Sequence, residues 1–215
     1  VLFRSPQSNW RDFIEADKNQ DDLGYFPLRQ AISTLVAQDY QFTLPVEHLM
    51  ITSGGHQAIF LIVQALLNSG DAVAICQPSF LYALNLFQTA GIRLYGVPMD
   101  DQGMRLDLLE TEILKHRVKL VMLNPTFQNP TGTTMSLARR KALIKLCQTY
   151  KIPIIEDDAF GLLPFDKRQN LPPLKKLDPQ NVIYIGSLSK IIGSTTKIGW
   201  ISAPPAVLEK LSIAR

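Results

Sequence analysis

Cysteines are scarce in the sequence, and the two that are present do not have the spacing of a metal site. Its 215 residues include two cysteines, Cys76 and Cys147, and three histidines. The two cysteines stand far apart, which argues against both a disulfide framework and a zinc site. We therefore expect two buried thiols in a protein of the reducing cytosol.

Long apolar runs and an excess of one charge are also lacking. The longest apolar run, residues 58–67, is interrupted by Gln64 and is too short to cross a bilayer. Basic residues number 22 against 19 acidic ones, so the net charge of +3 does not by itself indicate nucleic acid or membrane binding. With 46% hydrophobic residues, the composition predicts a soluble globular domain.

The two ends of the sequence predict a fragment of a longer protein. Val1 is not preceded by a methionine, and no charged-then-apolar leader follows it. Arg215 stands in what reads as the start of a helix.

Short runs rich in valine and isoleucine alternate with longer segments of helical period, which predicts an α/β domain with a mostly parallel sheet. The predicted strands cover residues 49–51, 72–75, 94–97, 120–123, 153–155, 182–185 and 198–201. The predicted helices include residues 27–40, 57–67 and 137–150, the last with Ser136 as its N-cap. Residues 1–45 are interpreted as an N-terminal arm and helix, and residues 46–215 as one domain.

Polar residues and glycines follow several of these strands, at the edge where open α/β sheets bind ligands. Gly54 and Gly55 open a helix whose free amides would attract a phosphate, although a tight turn between strand and helix needs glycine for packing as well. Residues 124–132 contain two Asn-Pro pairs, and residues 156–158 are three successive carboxylates. Buried carboxylates need a cation, a divalent metal or solvent.

Lys190 follows a predicted buried strand and is flanked by serines and a glycine. Lysines at strand ends are usually solvated, but a desolvated one has the lowered pKa that a Schiff-base nucleophile requires. Together the loops offer a phosphate cradle, a carboxylate, an amide and a reactive amine. Pyridoxal phosphate requires that set of groups.

The order of these motifs resembles the large domain of the fold-type I, class I/II pyridoxal-phosphate aminotransferases, over residues 24–215. Residues 129–140 and 155–160 are most similar to the aminotransferase-like domain of MocR-type regulators of the GntR superfamily, which carry a winged-helix DNA-binding domain upstream. The resemblance implies a three-layer α/β/α fold with a mostly parallel seven-stranded sheet. It also implies a cytoplasmic homodimer that binds an amino acid or amine, with no membrane partner, and with DNA bound only through a domain outside this sequence.

The resemblance assigns roles residue by residue. Lys190 would form the internal aldimine and move the proton of transamination, and Asp157 would pair with the pyridinium nitrogen. Asn129 would donate to the phenolic oxygen of the cofactor, and Phe80 would stack on its ring. The phosphate would be held by the Gly54, Gly55 and His56 amides, Ser187 and Lys197.

The sequence departs from the family pattern at the cofactor. Phe160 replaces a tyrosine that usually bonds the phenolic oxygen, which phenylalanine cannot do. Lys197 replaces an arginine, so the charge is kept and the bidentate fork is lost. Residues 21–29 resemble the segment that reaches the partner subunit's cofactor phosphate, with Asn19 where the family has a tyrosine.

The family's C-terminal small domain, which supplies the arginine for the substrate carboxylate, would lie beyond Arg215. We therefore expect little or no transaminase turnover from this chain alone.

Several functions remain open at this point. The motif details favour the sensor domain of a transcriptional regulator, while the core motifs fit equally well a free-standing aminotransferase that acts on an amino acid and a 2-oxo acid. A domain that has lost its cofactor and serves for dimerisation is harder to reconcile with Lys190, Asp157 and Asn129. A basic winged-helix segment upstream of Val1 would discriminate the regulator from the enzyme.

Overall fold

The structure is a computed structural model, and it describes residues 21–163, 171–193 and 195–215. Asn19 and the first part of the predicted arm therefore lie outside the described residues. The arm's helix and every assigned site residue lie within them.

The strands form one sheet. In chain order they are β1 Leu49–Thr52, β2 Ala72–Gln77, β3 Arg93–Asp100, β4 Gly103–Met104, β5 Leu120–Leu123, β6 Ile154–Asp157, β7 Val182–Ser187 and β8 Gly199–Ser202. Their order across the 8-stranded sheet is β1-β8-β7-β6-β5-β2-β3-β4. Strands β3, β2, β5, β6 and β7 are parallel, whereas β8 is antiparallel to β7 and β1, and β4 is antiparallel to β3. Sequence reasoning missed β4, because two residues are too few to show an apolar alternation.

The helices mostly match their predicted bounds. They are α1 Phe26–Tyr40, α2 Gly55–Leu66, α3 Leu81–Thr89, α4 Leu106–His116, α5 Leu137–Tyr150, α6 Leu174–Leu177 and α7 Pro205–Ile213, with a 3-10 turn at Val46–His48. The predicted N-cap of α5 is confirmed, since Ser136 Oγ accepts from the Arg139 N–H at 3.3 Å. The prediction that the chain stops at the start of a helix is wrong, because α7 already ends at Ile213. This helix begins at Pro205, since proline is favoured in the first turn of a helix.

Helices cover both faces of the sheet, so the predicted three-layer α/β/α fold is confirmed. One face packs against α2, α3 and α7, with Ile62 and Phe87 in the core. The opposite face packs against α4, α5 and α6 around Leu143, and against α1 around Val36 and Trp200. Because side chains alternate along a strand, neighbouring residues of one strand enter different cores.

Cys76 and Cys147 are free and buried, as expected. Burial raises the pKa of each thiol to about 12, so both are neutral at physiological pH. Within the described part of the chain, no helix has both the length and the apolar character that a membrane span requires.

Gly199 of β8 allows the turn before α2 to approach the strand closely. A Cβ on Gly199 would lie 2.7 Å from the carbonyl carbon of Gly54. Any larger residue at position 199 would therefore push that turn away. Gly199 thus brings the start of α2 next to the strands that carry the polar loops.

Candidate functional site

The carboxyl ends of β5, β6 and β7 meet at one edge of the sheet, and the turn that opens α2 lies beside them. The parallel register pairs Asp157, the last residue of β6, with Ile185 of β7. This places Asn124, Asp157 and the loop that carries Lys190 at the same edge, where open α/β sheets bind ligands.

Asp157 is the acid at this edge. Its Oδ1 accepts from the Ala159 N–H at 3.2 Å, and its carbonyl oxygen accepts from Asn124 Nδ2 at 3.0 Å. Burial raises the pKa of the Asp157 carboxyl, while the Asn124 amide, the Ala159 N–H and the charges of His56 and Lys190 lower it. Asp157 therefore lies within electrostatic reach of His56, at the start of α2, and of Lys190.

Lys190 lies in the loop that joins β7 to β8. The loop is closed by two hydrogen bonds, from the Leu188 N–H to the Ile198 carbonyl at 3.0 Å and from Ser189 Oγ to the Thr196 carbonyl at 2.9 Å. These bonds fix the base of the loop.

The Lys190 side chain lies beside the Phe160 ring. Its Nζ lies 5.5 Å from the centroid of the Phe160 ring, within the range of a cation–π contact. The prediction of a desolvated lysine is nevertheless wrong for this chain, because Lys190 is exposed together with its neighbours Ile191 and Ile192. The amine is accessible to a ligand.

The turn before α2 combines an unusual backbone with open space. Gly54 is the N-cap of α2 with φ 93°, and a Cβ placed on it would meet nothing within 4 Å. Glycine supplies no side chain to cap the helix, and the preceding Ser53 N–H is bonded to Gln57 Oε1 at 2.5 Å. The first-turn N–H groups, those of Gly55 and His56 among them, follow this open position, and N–H groups at a helix start attract anions.

Ser187 and Lys197 stand at the two ends of the Lys190 loop. Ser187 ends β7, and its Oγ accepts from the Ser189 N–H at 3.2 Å. Its register partner is Gly199, which packs on Gly54, so the Ser187 end of β7 and the α2 turn are neighbours across β8. Lys197 is exposed just before β8.

Gln128 joins the loops that carry Phe80 and Asn129. This buried amide donates from Nε2 to the carbonyls of Pro78 and Asn129, each at 2.9 Å. Phe80 is 39% exposed at the start of α3. The loop that carries Asn129 begins at Asn124, and Asn124 donates to the Asp157 carbonyl.

Sequence reasoning did not single out Gln128, and it gave the amide role to Asn129 rather than Asn124. A signal for Asn124 exists in the sequence, since it follows β5 directly, at the edge where Asp157 ends β6.

Glu156 points away from Asp157, to the opposite face of the sheet. Its two carboxylate oxygens accept the N–H groups of Leu174 and Lys175, both at 2.8 Å, so it satisfies the first turn of α6. Burial raises the pKa of Glu156 to about 8, while Arg140 and the two N–H donors lower it. Among the described residues, no group of three or more side chains that could hold a metal ion is found.

Asp158 lies on that same opposite face. Its Oδ2 accepts from the Tyr40 hydroxyl at 2.6 Å and from the Tyr184 hydroxyl at 2.7 Å. Burial raises the pKa of Asp158 to about 6, while both hydroxyls and Arg140 lower it. Sequence reasoning missed this cluster, because Tyr40 and Asp158 are 118 positions apart and no local pattern connects them.

Comparison with known proteins identifies relatives of two kinds. The family model described as aminotransferase class I and II matches residues 8–215. The chain is 37% identical to aromatic-amino-acid aminotransferase 1 of Thermococcus litoralis, over 89% of this chain and 47% of that protein. It is 38% identical to the uncharacterized HTH-type transcriptional regulator YdfD of Bacillus subtilis, over 93% of this chain and 41% of that protein.

A solved structure shares the fold at a similar level of identity. The alpha-aminoadipate aminotransferase LysN of Thermus thermophilus, complexed with N-(5'-phosphopyridoxyl)-L-leucine, matches with a TM-score of 0.84 and 32% identity. The match covers 95% of this chain and 52% of that one. The chain thus spans about half the length of the relatives it matches.

Proposed function

This chain belongs to the class I and II aminotransferase family, and from that premise we propose that it binds pyridoxal phosphate and senses an amino compound for a MocR-type transcriptional regulator. It is an aminotransferase-like domain, homologous both to such regulators and to free-standing aminotransferases. The observation that carries the proposal is that His56 of α2 and Lys190 of the loop between β7 and β8 both lie within electrostatic reach of the half-buried Asp157 carboxyl.

The residues at this edge fit a phosphorylated pyridine aldehyde. The open space at Gly54, beside the N–H groups of α2, suits a phosphate. Asp157 suits a protonated ring nitrogen, because a neighbouring cation stabilises a half-buried carboxylate. Lys190 offers an accessible primary amine. When bound, the cofactor supplies an electron sink for bonds at the α-carbon of an amino compound.

Each side chain has a defined task in this proposal. Lys190 Nζ would be the amine that condenses with the cofactor's aldehyde, with water as the leaving group. Asp157 would hold a proton at the ring nitrogen, Asn129 would orient the phenolic oxygen, and Phe80 and Phe160 would lie against the ring. The phosphate is bound by the Gly54, Gly55 and His56 amides, Ser187 and Lys197.

Phe160 favours sensing over turnover. Phenylalanine keeps an aromatic ring beside Lys190 but has no hydroxyl to bond the phenolic oxygen. A site that binds an amino compound without releasing a product reports that compound by its occupancy. A second copy of the chain, completing a homodimer, and a DNA-binding segment outside this sequence would convert occupancy into regulation.

The alternative function is that of a fragment of a free-standing aminotransferase. The 37% identity to an aromatic-amino-acid aminotransferase, against 38% to the regulator, supports it equally on sequence grounds. The coding sequence upstream of Val1 discriminates between the two. A basic winged-helix segment identifies the regulator, and its absence identifies the enzyme.

Absorbance spectroscopy tests the cofactor and the lysine together. We expect added pyridoxal phosphate to give the wild-type chain a visible band that survives gel filtration, and Lys190→Ala to lose that band. Lys115→Ala is the matched control, because Lys115 is exposed on α4 at the opposite face of the sheet, and it should keep the band.

The outcomes separate the claims. A band in Lys190→Ala as strong as that of the wild type would contradict the role of Lys190. No band in the wild type or in Lys115→Ala would contradict cofactor binding, and a domain that serves for dimerisation would then be the better interpretation.

A further inference from the structure

The face of the sheet behind Asp157 holds a carboxylate for which the proposed function has no use. We propose that Tyr40, the last residue of α1, is a positioning residue of the cofactor site and acts through its hydrogen bond to Asp158. The inference rests on the proposed function, because pyridoxal phosphate is the ligand whose binding reports it.

The bond between Tyr40 and Asp158 joins α1 to the sheet at the edge that carries the site. Asp158 Oδ2 accepts the Tyr40 hydroxyl of α1 and the Tyr184 hydroxyl of β7, at 2.6 and 2.7 Å. All three side chains are buried. Hydrogen bonds to a buried carboxylate are stronger than bonds between neutral groups, so the Asp158 side chain is held from two directions.

The backbone transmits this constraint to Asp157. The Asp158 N–H donates to the Ile185 carbonyl at 2.9 Å, and the next N–H, that of Ala159, donates to Asp157 Oδ1 at 3.2 Å. A shift of Asp158 therefore moves the donor that orients the Asp157 carboxylate. Phe160, beside Lys190, follows in the same turn.

Gly161 provides an independent sign that this turn rests on the Tyr40–Asp158 pair. A Cβ on Gly161 would overlap both the Tyr40 hydroxyl and Asp158 Oδ1. The turn that carries Phe160 is thus packed directly on the pair. Tyr40 is fixed in turn by Lys176, whose Nζ donates to the Tyr40 carbonyl at 3.3 Å.

The electrostatic surroundings make the pair sensitive to pH. The two hydroxyls favour the ionised form of Asp158, so removal of one hydroxyl raises the pKa of that carboxyl further. A protonated Asp158 takes a negative charge away from behind Asp157. The titratable and charged groups that face Asp158 are Tyr40 of α1, Tyr184 of β7, Arg140 of α5, and Glu156 and Asp157 of β6.

The test is Tyr40→Phe, which removes the hydroxyl and keeps the ring. We expect the Kd for pyridoxal phosphate to rise about fivefold. We also expect the pH midpoint of the cofactor's visible absorbance to move by about half a unit. The matched control is Tyr150→Phe, since the Tyr150 hydroxyl donates to the Glu110 carboxylate at 2.7 Å, between α4 and α5. It should lower the melting temperature without changing Kd or midpoint.

The results distinguish this inference from the proposed function. If Tyr40→Phe keeps the Kd and the midpoint of the wild type, the positioning role is overturned and cofactor binding stands. If the wild type does not bind pyridoxal phosphate, both are overturned. Should Tyr40→Phe fail to fold, Tyr184→Phe removes the other donor from the same oxygen, with the same expected and overturning results.

Discussion

At the residue scale, Gly54 combines a positive φ with open space at the start of α2. Its φ of 93° lies in the left-handed region, and a Cβ would enter open space. Gly70 is a natural comparison, with φ 89° and equally open space, but it precedes β2 at the other end of the strand from the site.

Gly54→Ala and Gly70→Ala should therefore differ in binding and not in stability. Each forces an L-residue into positive φ and should lower the unfolding free energy by about 1 kcal/mol in urea titrations. Gly54→Ala also places a methyl beside the first-turn N–H groups of α2, so we expect its Kd for pyridoxal phosphate to rise about tenfold. Equal Kd values for the two variants would remove the Gly54 turn from the phosphate site.

The residues that could be predicted from the sequence are those whose chemistry is rare at a strand end. Lys190, the carboxylates at 156–158 and Gly54 stand out because a lysine, an acid or a glycine directly after an apolar strand is unusual, and the family resemblance selects Asp157 from the three acids. Asn124 and Gln128 were passed over, since amides are common in loops. Their importance comes from bonds to Asp157 and Pro78, which lie far away in the sequence.

At the scale of the elements, side chains alternate along β6, so neighbouring carboxylates point to opposite faces of the sheet. Asp157 lies at the edge of the sheet beside α2, while Glu156 accepts the first N–H groups of α6 and Asp158 accepts the Tyr40 hydroxyl of α1 on the opposite face. The strand itself could be predicted from its isoleucines. Its partners could not, because a buried carboxylate is satisfied by whatever the tertiary fold brings to it. The bounds of α5 could be predicted, since its cap is local.

Asp158 makes the docking of α1 depend on pH. Burial raises its pKa to about 6 from an ordinary value of 3.8, so the folded chain binds this proton more tightly than the unfolded chain. The contribution of Asp158 to stability is therefore fully present below about pH 4 and is lost as the pH rises to about 6.

Asp158→Asn has no carboxyl that titrates at this position. Comparing its unfolding free energy with that of the wild type therefore isolates the pH-dependent contribution of Asp158. The unfolding free energy of the wild type, relative to the variant, should fall by about 2 kcal/mol between pH 4.5 and pH 7. Asp107→Asn is a control of opposite sign, because Arg105 lowers the pKa of the exposed Asp107. A wild-type to Asp158→Asn difference that does not change between these pH values would contradict the raised pKa.

At the scale of the whole molecule, the described residues form a three-layer domain, and the chain spans about half the length of its relatives. The alternation of strands and helices predicted that domain, because buried parallel strands need helices on both faces. The proposed cofactor site lies within this part, since His56 and Lys190 both act electrostatically on Asp157. Turnover requires more: a group that orients the substrate carboxylate and a proton donor at the cofactor.

We expect this chain, loaded with pyridoxal phosphate, to convert none of the standard amino acids at a measurable rate. The reason at the proposed site is that Phe160, which lies beside Lys190, provides no hydroxyl as a proton donor at the cofactor. The measurement is the absorbance change from the aldehyde to the amine form of the cofactor after each amino acid is added.

Phe160→Tyr separates the two missing requirements. The variant restores the hydroxyl and adds no group for the substrate carboxylate, so it should also show no conversion, although the new donor should change the cofactor's spectrum. Conversion by Phe160→Tyr alone would assign the loss of turnover to residue 160. Conversion by the wild type would favour the free-standing enzyme over the sensor, because a site that releases product does not report an amino compound by its occupancy.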